Sequence, residues 1–318
     1  MLSSSPRCGG FALVLALCAS TSPAHAQAQA HGFSVERFYP SPAGAGWLVM
    51  DALDLSGGLG GDLAVTMGYA HDGLRVGPQG LAVVEHQAFA DFGMAVTYDR
   101  FRLSLNMSMP LVISGRNSTV GDTAFVAPAV TLGSNPDTLS DYALGFDVRL
   151  FGEAGGPFRL GAGVQLVIPS GRLADYDSDG TFRAMGRVLF AGDLGMLTYA
   201  GHLGVHVRPR DDGPGSNGPR GSELLFGVAG GARLAVAPGW AVIVGPELFG
   251  QTAFRSFFGG DTTGLEALMS ARFEGTGEGP QLRVRLGAGL GLDPTFGTPR
   301  WRVVLGAELF GRVSKPSR

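Results

Sequence analysis

The sequence predicts an all-β protein: a transmembrane, up-and-down antiparallel β-barrel of about twelve strands that follows a cleaved signal peptide. Three observations support this fold class. Apolar and polar residues alternate strictly in many segments, the connections between these segments alternate between short and long, and the N-terminus has the composition of a secretory signal. After that signal, no apolar run is long enough for a membrane-spanning helix.

The alternation is clearest in segment 223–251, where two runs flank the turn Ala237-Pro238-Gly239. In the second run Val242 and Val244 share one parity, whereas Gly245 and Glu247 share the other. Each run is about twice as long as a usual soluble strand. A charged side chain that faced lipid at mid-depth would cost several kcal/mol, so the parity with the charges and glycines is predicted to face the lumen.

The connections support a barrel more strongly than a soluble β-sandwich, which also alternates but does not sort its connections by length. An even strand number predicts that both chain ends lie in the periplasm. The predicted strands are 62–70, 81–98, 100–113, 141–152, 157–169, 182–191, 196–208, 222–236, 240–251, 264–274, 281–292 and 300–310. The predicted long loops are 71–80, 114–140, 170–181, 209–221, 252–263 and 293–299.

Residues 1–26 are predicted to be a signal peptide, with Arg7 before an apolar stretch and an Ala24-His25-Ala26 cleavage site. Its removal also removes Cys8 and Cys18, so thiol chemistry and disulfides are excluded from the mature chain. A lipoprotein signal at Cys18 is the alternative. The remaining layout is an N-terminal periplasmic lead or plug over 27–61, the barrel over 62–312 and a periplasmic tail over 313–318.

Composition restricts the class of protein further. The chain has 52 glycines in 318 residues, 45% hydrophobic residues and 16% charged residues, which excludes a disordered chain. The glycines are attributed to barrel curvature, tight turns and a narrow interior. A formal net charge of −3 gives no support for a nucleic-acid partner.

The predicted lumen carries charges of both signs in near balance. A water-filled pore for small hydrophilic solutes and a lumen closed by salt bridges are both compatible with this pattern, and the balance argues against strong ion selectivity. The residues predicted to line a pore are Glu85, Asp91, Arg102, Asp147, Arg149, Arg159, Arg183, Arg187, His202, His206, Glu223, Arg233, Glu247, Glu266, Arg272, Arg283, Arg285, Arg302 and Glu308.

No motif predicts catalysis, a metal site or a cofactor. The segment 175–180 resembles the opening of a calcium loop, but the twelfth position, which needs a glutamate, is Gly186. His202 and His206 lack a third ligand at a useful spacing and are interpreted as polar lumen residues. Ser222 and Ser270 have no local setting of a nucleophile, so the protein is predicted not to be an enzyme.

Several segments of the sequence carry a family resemblance. They are Trp47-Leu48-Val49-Met50-Asp51-Ala52-Leu53, Val83-Val84-Glu85-His86-Gln87, Ile168-Pro169-Ser170-Gly171, Gly245-Pro246-Glu247-Leu248, Leu265-Glu266-Ala267-Leu268, Phe296-Gly297-Thr298-Pro299 and Trp301-Arg302-Val303. Together they resemble the N-terminal outer-membrane barrel domain of OmpA-like proteins of the myxobacterial and deltaproteobacterial type. The resemblance covers essentially the whole mature chain and implies a fold, not an activity. In that family a periplasmic peptidoglycan-binding domain often follows, whereas this sequence stops at Arg318, so contact with peptidoglycan is not expected.

The predicted function is therefore an integral protein of the cell outer membrane that acts as a passive, porin-like channel for small hydrophilic solutes. The alternative is a plugged structural or surface-interaction barrel that presents loops 114–140 and 209–221. The expected partners are outer-membrane lipids, lipopolysaccharide and the barrel assembly machinery.

Overall fold

The computed structural model describes residues 28–55, 57–77, 79–131, 139–212, 218–260, 262–277, 279–293 and 297–312. The predicted signal peptide, the tail 313–318 and parts of the loops 114–140 and 209–221 lie outside the described residues. Among the described residues, no helix is both long and apolar enough to cross a membrane.

Twelve long strands form a closed antiparallel barrel. Four short strands, β1 (Ala28–Gln29), β5 (Ser118–Val120), β6 (Thr123–Phe125) and β7 (Ala129–Val130), lie outside this set. The barrel strands are β2 (Leu59–Val76), β3 (Leu81–Tyr98), β4 (Phe101–Ser114), β8 (Tyr142–Phe151), β9 (Arg159–Ile168), β10 (Arg183–Leu194), β11 (Leu197–Val207), β12 (Glu223–Ala237), β13 (Trp240–Ala253), β14 (Thr263–Gly275), β15 (Gln281–Asp293) and β16 (Trp301–Arg312).

Each barrel strand pairs with its neighbour in sequence, and β16 pairs with β2 to close the ring. Closure leaves no strand edge with unpaired backbone groups, which is the condition for a sheet to stand in a bilayer. The fold class predicted from alternation and connection length is confirmed. All twelve predicted strands are present, with most ends displaced by only one to three residues.

The two faces of the wall differ in chemistry as the alternation predicts. Leu63, Leu286 and Leu305 are about half exposed on the outer face, at 57%, 53% and 47%. Their neighbours Asp62 and Arg285 face inward and are buried, at 2% and 1% exposed. The outer face is therefore an apolar belt that suits lipid, and the charges are kept inside.

The hairpin of β2 and β3 is longer than the sequence predicts, and the prediction of a long loop at 71–80 is wrong. Strand β2 continues to Val76, and β3 begins at Leu81, because Asp72 and Gly73 form a bulge within β2 and not a loop. Asp72 has a φ of 57°, a left-handed conformation that a short polar side chain tolerates. A turn-like dipeptide inside a strand therefore marks a bulge here and not a loop.

The N-terminal segment passes through the barrel. At the long-loop end, β1 pairs in parallel with β6, which lies in the loop between β4 and β8. At the other end, Gly155 in the short turn after β8 donates its backbone N–H to Asp54 at 3.2 Å. The segment before β2 therefore crosses the lumen, and Ala28 and Gln29, the first described residues, lie at the long-loop end.

Candidate functional site

The lumen is occupied by residues 30–55, which we call the plug. Its large apolar side chains are almost fully buried: Phe38, Trp47 and Leu48 are each 2% exposed, and Met50 and Leu53 are 0% exposed. They form one hydrophobic cluster with inward-facing wall residues such as Ile243 and Leu268. The interior of this barrel is thus a packed core and not an open aqueous cylinder.

Glycines on the wall make room for these side chains. A Cβ added at Gly287 would lie 2.3 Å from Leu48 Cδ1, and one at Gly227 would lie 2.4 Å from Met50 Cε. Both distances are far below contact distance, so a larger residue at either position would force the Leu48 or Met50 side chain to shift. From the sequence, the glycines are attributed to barrel curvature, tight turns and a narrow interior, whereas in the structure they also accommodate another part of the chain.

Glu247 of β13 is the central anchor of the plug. It is 0% exposed, and its carboxylate accepts hydrogen bonds from the backbone N–H groups of Leu48, Val49 and Met50, at 3.0, 2.9 and 3.4 Å. Successive N–H groups that converge on one anion form a strong, directional site. A buried carboxylate on the wall therefore holds the backbone of the plug directly.

A second anchor joins the plug to β12. Arg37 donates two hydrogen bonds to Glu223, at 2.8 and 2.7 Å, in the parallel, two-pronged geometry that suits guanidinium and carboxylate. His206 on β11 contacts the same carboxylate through Nδ1 at 3.2 Å. All three side chains are buried, so Glu223 is a shared partner and not a solvated lumen charge.

Strands β15 and β16 complete this arrangement. Arg285 donates to the Trp47 carbonyl at 2.7 Å, and Arg302 donates to Glu36 at 2.8 and 3.0 Å. Glu308 accepts a hydrogen bond from the Gly44 backbone N–H. We call the set of wall residues that bind the plug on β12–β16 the clamp: Glu223, Glu247, Arg285, Arg302 and Glu308.

Near the short-turn end, the plug is also held from the opposite side. Asp51 pairs with Arg102 of β4, which donates to Asp147 of β8 at 2.7 Å. Arg149 donates to the Leu53 carbonyl at 3.2 Å. These contacts close the lumen on the β4 and β8 side at this level.

The predicted pore residues all lie on inward-facing positions, and most of them are buried. Glu85 and Arg233 are more accessible, with side chains 22% and 37% exposed. Those that contact the plug or its direct partners are Arg102, Asp147, Arg149, Arg159, His206, Glu223, Glu247, Glu266, Arg272, Arg283, Arg285, Arg302 and Glu308. Arg183 also contacts a direct partner of the plug, Asp179, which accepts a hydrogen bond from the Ser34 backbone N–H. The others are Glu85, Asp91, Arg187, His202 and Arg233.

Near the long-loop end, the plug does not fill the part of the lumen beside β3, β4, β8 and β9. A cavity, which we call the side cavity, lies between the plug and strands β3, β4, β8 and β9, and reaches the long-loop end at the partly exposed Ser140. Its lining combines plug residues with polar wall and loop residues: Ser34, Glu36, Phe38, Tyr39, Pro40, Gln87, Ala88, Phe89, Asp91, Asn106, Ser108, Pro110, Ser140, Asp141, Ala143, Gln165, Val167, Asp177 and Arg183.

The floor of the side cavity is formed by the plug and the wall together. Ala43 of the plug packs with Ala64, which is level with Asn106, and with Ala95, which lies one inward step nearer the short-turn end. The pair of Asp51 and Arg102 lies further along the same path. A molecule that enters from the long-loop end therefore meets the plug before it reaches the short-turn end.

The loop 169–182 places two carboxylates in opposite environments. Burial raises the pKa of Asp177 to about 7, although it accepts a 2.7 Å hydrogen bond from the Arg172 backbone N–H, and the nearby Asp175 and Asp141 add to the rise. Burial also disfavours ionised Asp179, but Arg208 and Arg183 outweigh it and hold the pKa of Asp179 at about 2.

The other candidate residues have structural partners. Asp179 pairs with Arg208 instead of pointing into a shared ion site with Asp177. Among the described residues, no group of three or more His, Cys, Asp or Glu side chains is placed to hold a metal ion. The Ser222 hydroxyl accepts from the Arg208 backbone N–H at 3.3 Å, and Ser270 donates to the Gly245 carbonyl at 3.1 Å.

Comparison with known proteins defines the class. The chain is similar to the crystal structure of the COG4313 outer membrane channel from Pseudomonas putida F1, at 16% identity and a TM-score of 0.52, over 86% of this chain and 100% of that one. A NanC porin structure aligns over 79% of this chain and 100% of that one, at 8% identity and a TM-score of 0.47. No family model and no curated protein matches the sequence. By its fold, the chain is an integral outer-membrane β-barrel.

Proposed function

We propose that this protein is a passive outer-membrane channel for small hydrophilic solutes, and that the plug keeps it closed in the conformation described. The side cavity is the observation that carries this proposal. Polar side chains line it among apolar ones, it reaches the long-loop end, and the plug forms part of its floor. Because long loops face outward in such barrels, the cavity is the entrance from the cell exterior.

Passage requires the part of the plug that contains Ala43 and Asp51 to move away from β2, β3 and β4. The contact at Ala43 involves only small apolar side chains, with Ala64 and Ala95 as partners. Small side chains make few dispersion contacts, so separation there costs less than separation at the clamp. Asp51 must also leave Arg102, whose second partner Asp147 remains on the wall.

A disulfide tether tests this proposal. A Cβ built at Gly93 lies 3.7 Å from the Ala43 Cβ, which matches the geometry of a disulfide, so A43C with G93C would fix the floor of the cavity to β3. The same Cβ lies 3.6 Å from the Ala64 Cβ, so A64C with G93C is a matched control within the wall. The natural cysteines, Cys8 and Cys18, both lie in the predicted signal peptide.

Conductance in planar bilayers is the measurement. We expect the oxidised A43C/G93C protein to be silent, to regain conductance steps after reduction, and to differ in this from the A64C/G93C control. A wild-type protein that is silent at high protein load, under conditions where its gel migration proves that it is folded, would contradict the channel.

The alternative is a permanently plugged barrel that presents its loops as a surface. The clamp favours it, because Glu223, Glu247 and Arg302 are buried and each is bound to the plug by two or more hydrogen bonds. A conductance that persists unchanged in the oxidised tether would instead place the pathway elsewhere. We further propose that the protein is a relative of OmpA-like barrel domains, a kinship supported by the sequence segments alone, and that it is not an enzyme.

A further inference from the structure

The side cavity contains two carboxylates that no cation neutralises. Asp91 is 4% exposed and accepts hydrogen bonds only from neutral groups, Asn106 Nδ2 at 2.7 Å and Ser108 Oγ at 3.0 Å. Asp177 is 5% exposed and accepts from the Arg172 backbone N–H and from Ser140 Oγ. Within the described part of the chain, neither carboxylate forms an ion pair.

The cations closest to this region are committed to other partners. Arg183 donates Nη2 to Asp141 at 2.7 Å and directs Nε toward Asp179 at 3.6 Å. Arg285 donates to the Trp47 carbonyl, to Ser41 and to Thr66. The other carboxylate of the lining that has a cation, Glu36, pairs with Arg302. The lining of the cavity therefore has more acidic side chains than basic ones, although the lumen as a whole is nearly balanced.

A second, independent feature indicates that the cavity has a ligand. Asn106 Oδ1 and Arg183 Nη1 are buried and have no hydrogen-bond partner among the described residues, and both side chains line the cavity. Asn106 is 6% exposed and Arg183 is 4% exposed. Buried polar atoms without a partner are few in native structures, and a water or ion held at the site is one explanation for them.

The positions of these groups define the chemistry of that molecule. The amide of Asn106 already gives an N–H to Asp91, so its free oxygen and the Asp91 carboxylate together form an acceptor pair that suits a donor with several N–H bonds and a positive charge. Asn106, Ala143, Val167 and Arg183 lie on one row across neighbouring strands. The Arg183 backbone is thus about three strand spacings of roughly 4.8 Å from that of Asn106 along the wall, and both side chains extend into the same cavity between them.

We propose that the side cavity is a binding site for small solutes that carry a primary ammonium group. The ammonium binds between Asp91 and Asn106 Oδ1, and the donor of Arg183 accommodates an acceptor at the far end of the solute. The cavity volume of about 90 Å³ would hold on the order of six water molecules at roughly 15 Å³ each, which limits the ligand to a small molecule. This inference rests on the proposed function, because it makes the cavity the entrance that selects the solute.

Four solutes of equal chain length test the charge requirement: 1,4-diaminobutane, 4-aminobutanoate, butane-1,4-diol and succinate. Calorimetric titration of the folded, full-length protein in detergent measures binding without transport. We expect 4-aminobutanoate, whose carboxylate can accept from Arg183, to bind most tightly, and 1,4-diaminobutane to bind through one ammonium only. The diol and succinate should bind at least about tenfold more weakly than 4-aminobutanoate, because the charge-assisted hydrogen bond to Asp91 is lost. Diol or succinate binding as tightly as the diamine would overturn the site, and so would the absence of amine binding.

Isosteric variants locate the site. D91N is expected to lower the affinity for 1,4-diaminobutane about tenfold or more, whereas D122N, which removes an exposed loop carboxylate of the same type, is expected to leave it unchanged. If D91N does not fold, as judged by gel migration, D177N replaces it with a weaker loss expected. Equal affinity in wild type, D91N and D177N would overturn the proposal.

Liposome swelling with the same four solutes separates the inference from the proposed function. Amine binding without entry of any solute would contradict the channel and leave the binding site intact. Entry of all four solutes at equal rates would contradict the selective site and leave the channel intact.

Discussion

Two sides of the same lumen treat buried charge in opposite ways. On β12–β16, the clamp residues pair with the plug: Glu223 with Arg37, Arg302 with Glu36, and Glu247 with three backbone N–H groups. On β3 and β4, Asp91 has only neutral hydrogen-bond partners and faces the side cavity. Since a buried charge without a counter-charge is costly, the first side is built for stability and the second keeps a polar site at a cost in stability.

Breaking the clamp should have the largest effect on stability. Glu223→Gln keeps the shape but removes the charge that Arg37 and His206 share, so we expect a loss of about 3–5 kcal/mol in the free energy of unfolding. Urea titration followed by gel migration measures it. Glu85→Gln is the matched control, because Glu85 pairs with a mostly exposed arginine, Arg116, and should cost less than about 1 kcal/mol. Equal losses in the two variants would refute the distinction between the buried clamp and the accessible pair of Glu85 and Arg116.

Glu247→Gln should have the next largest effect, and it should act on the plug in particular. The amide oxygen can still accept N–H groups of residues 48–50, but without the charge that strengthens those bonds, so we expect a loss of about 2 kcal/mol. Hydrogen exchange of the Leu48, Val49 and Met50 amides, measured by mass spectrometry of the folded protein, should speed up. Unchanged exchange at these amides would contradict the anchoring role of Glu247.

The loop at the mouth of the side cavity should give a pH-dependent contribution. With a pKa of about 7 in the folded state, against about 4 when unfolded, Asp177 keeps its proton on folding between these values. Its contribution to stability therefore falls as the pH rises from about 4 to about 7 and is constant above.

Asp177→Asn removes this dependence. The difference in unfolding free energy between the variant and wild type should grow in favour of the variant across this pH window. A difference that stays flat from pH 4 to 8 would show that Asp177 ionises as freely as an exposed carboxylate.

The smallest effect on stability is expected from a neutral residue of the cavity wall. Gln165 on β9 lines the cavity beside space that the plug does not fill, so Gln165→Ala should change the free energy of unfolding by less than about 1 kcal/mol. A loss as large as that of Glu247→Gln would mean that the two sides of the lumen are equally packed.

The barrel could be predicted from the sequence because each strand carries its own evidence. The parity of Leu286 and Arg285 requires no knowledge of distant residues, since lipid and lumen impose opposite demands on adjacent positions. The inward placement of Glu223 and Glu247 follows from the same rule.

The sequence predicts residues 27–61 only as a periplasmic lead or a plug, because the contacts that decide between the two join residues that are far apart in sequence. Arg37 and Glu223 are separated by 186 positions, and Leu48 and Glu247 by 199. The plug has no alternation of period two, and its apolar run Trp47-Leu48-Val49-Met50 follows no strand period that would show which side chains face the wall. The one signal in the sequence for a filled lumen is the number of glycines at inward positions, such as Gly227 and Gly287. They leave space inside the barrel that another segment of the chain can occupy.

Fluorescence of Trp47 tests most directly whether the N-terminal segment fills the lumen. The chain has three tryptophans, and Trp240 and Trp301 lie at partly exposed positions on the outer face, so Trp240→Phe with Trp301→Phe leaves Trp47 as the reporter. In the folded protein in lipid vesicles, we expect Trp47 to be shielded from acrylamide, and to become fully accessible only on unfolding in urea. Quenching of Trp47 in the folded protein as fast as that of free indole would contradict a plugged lumen.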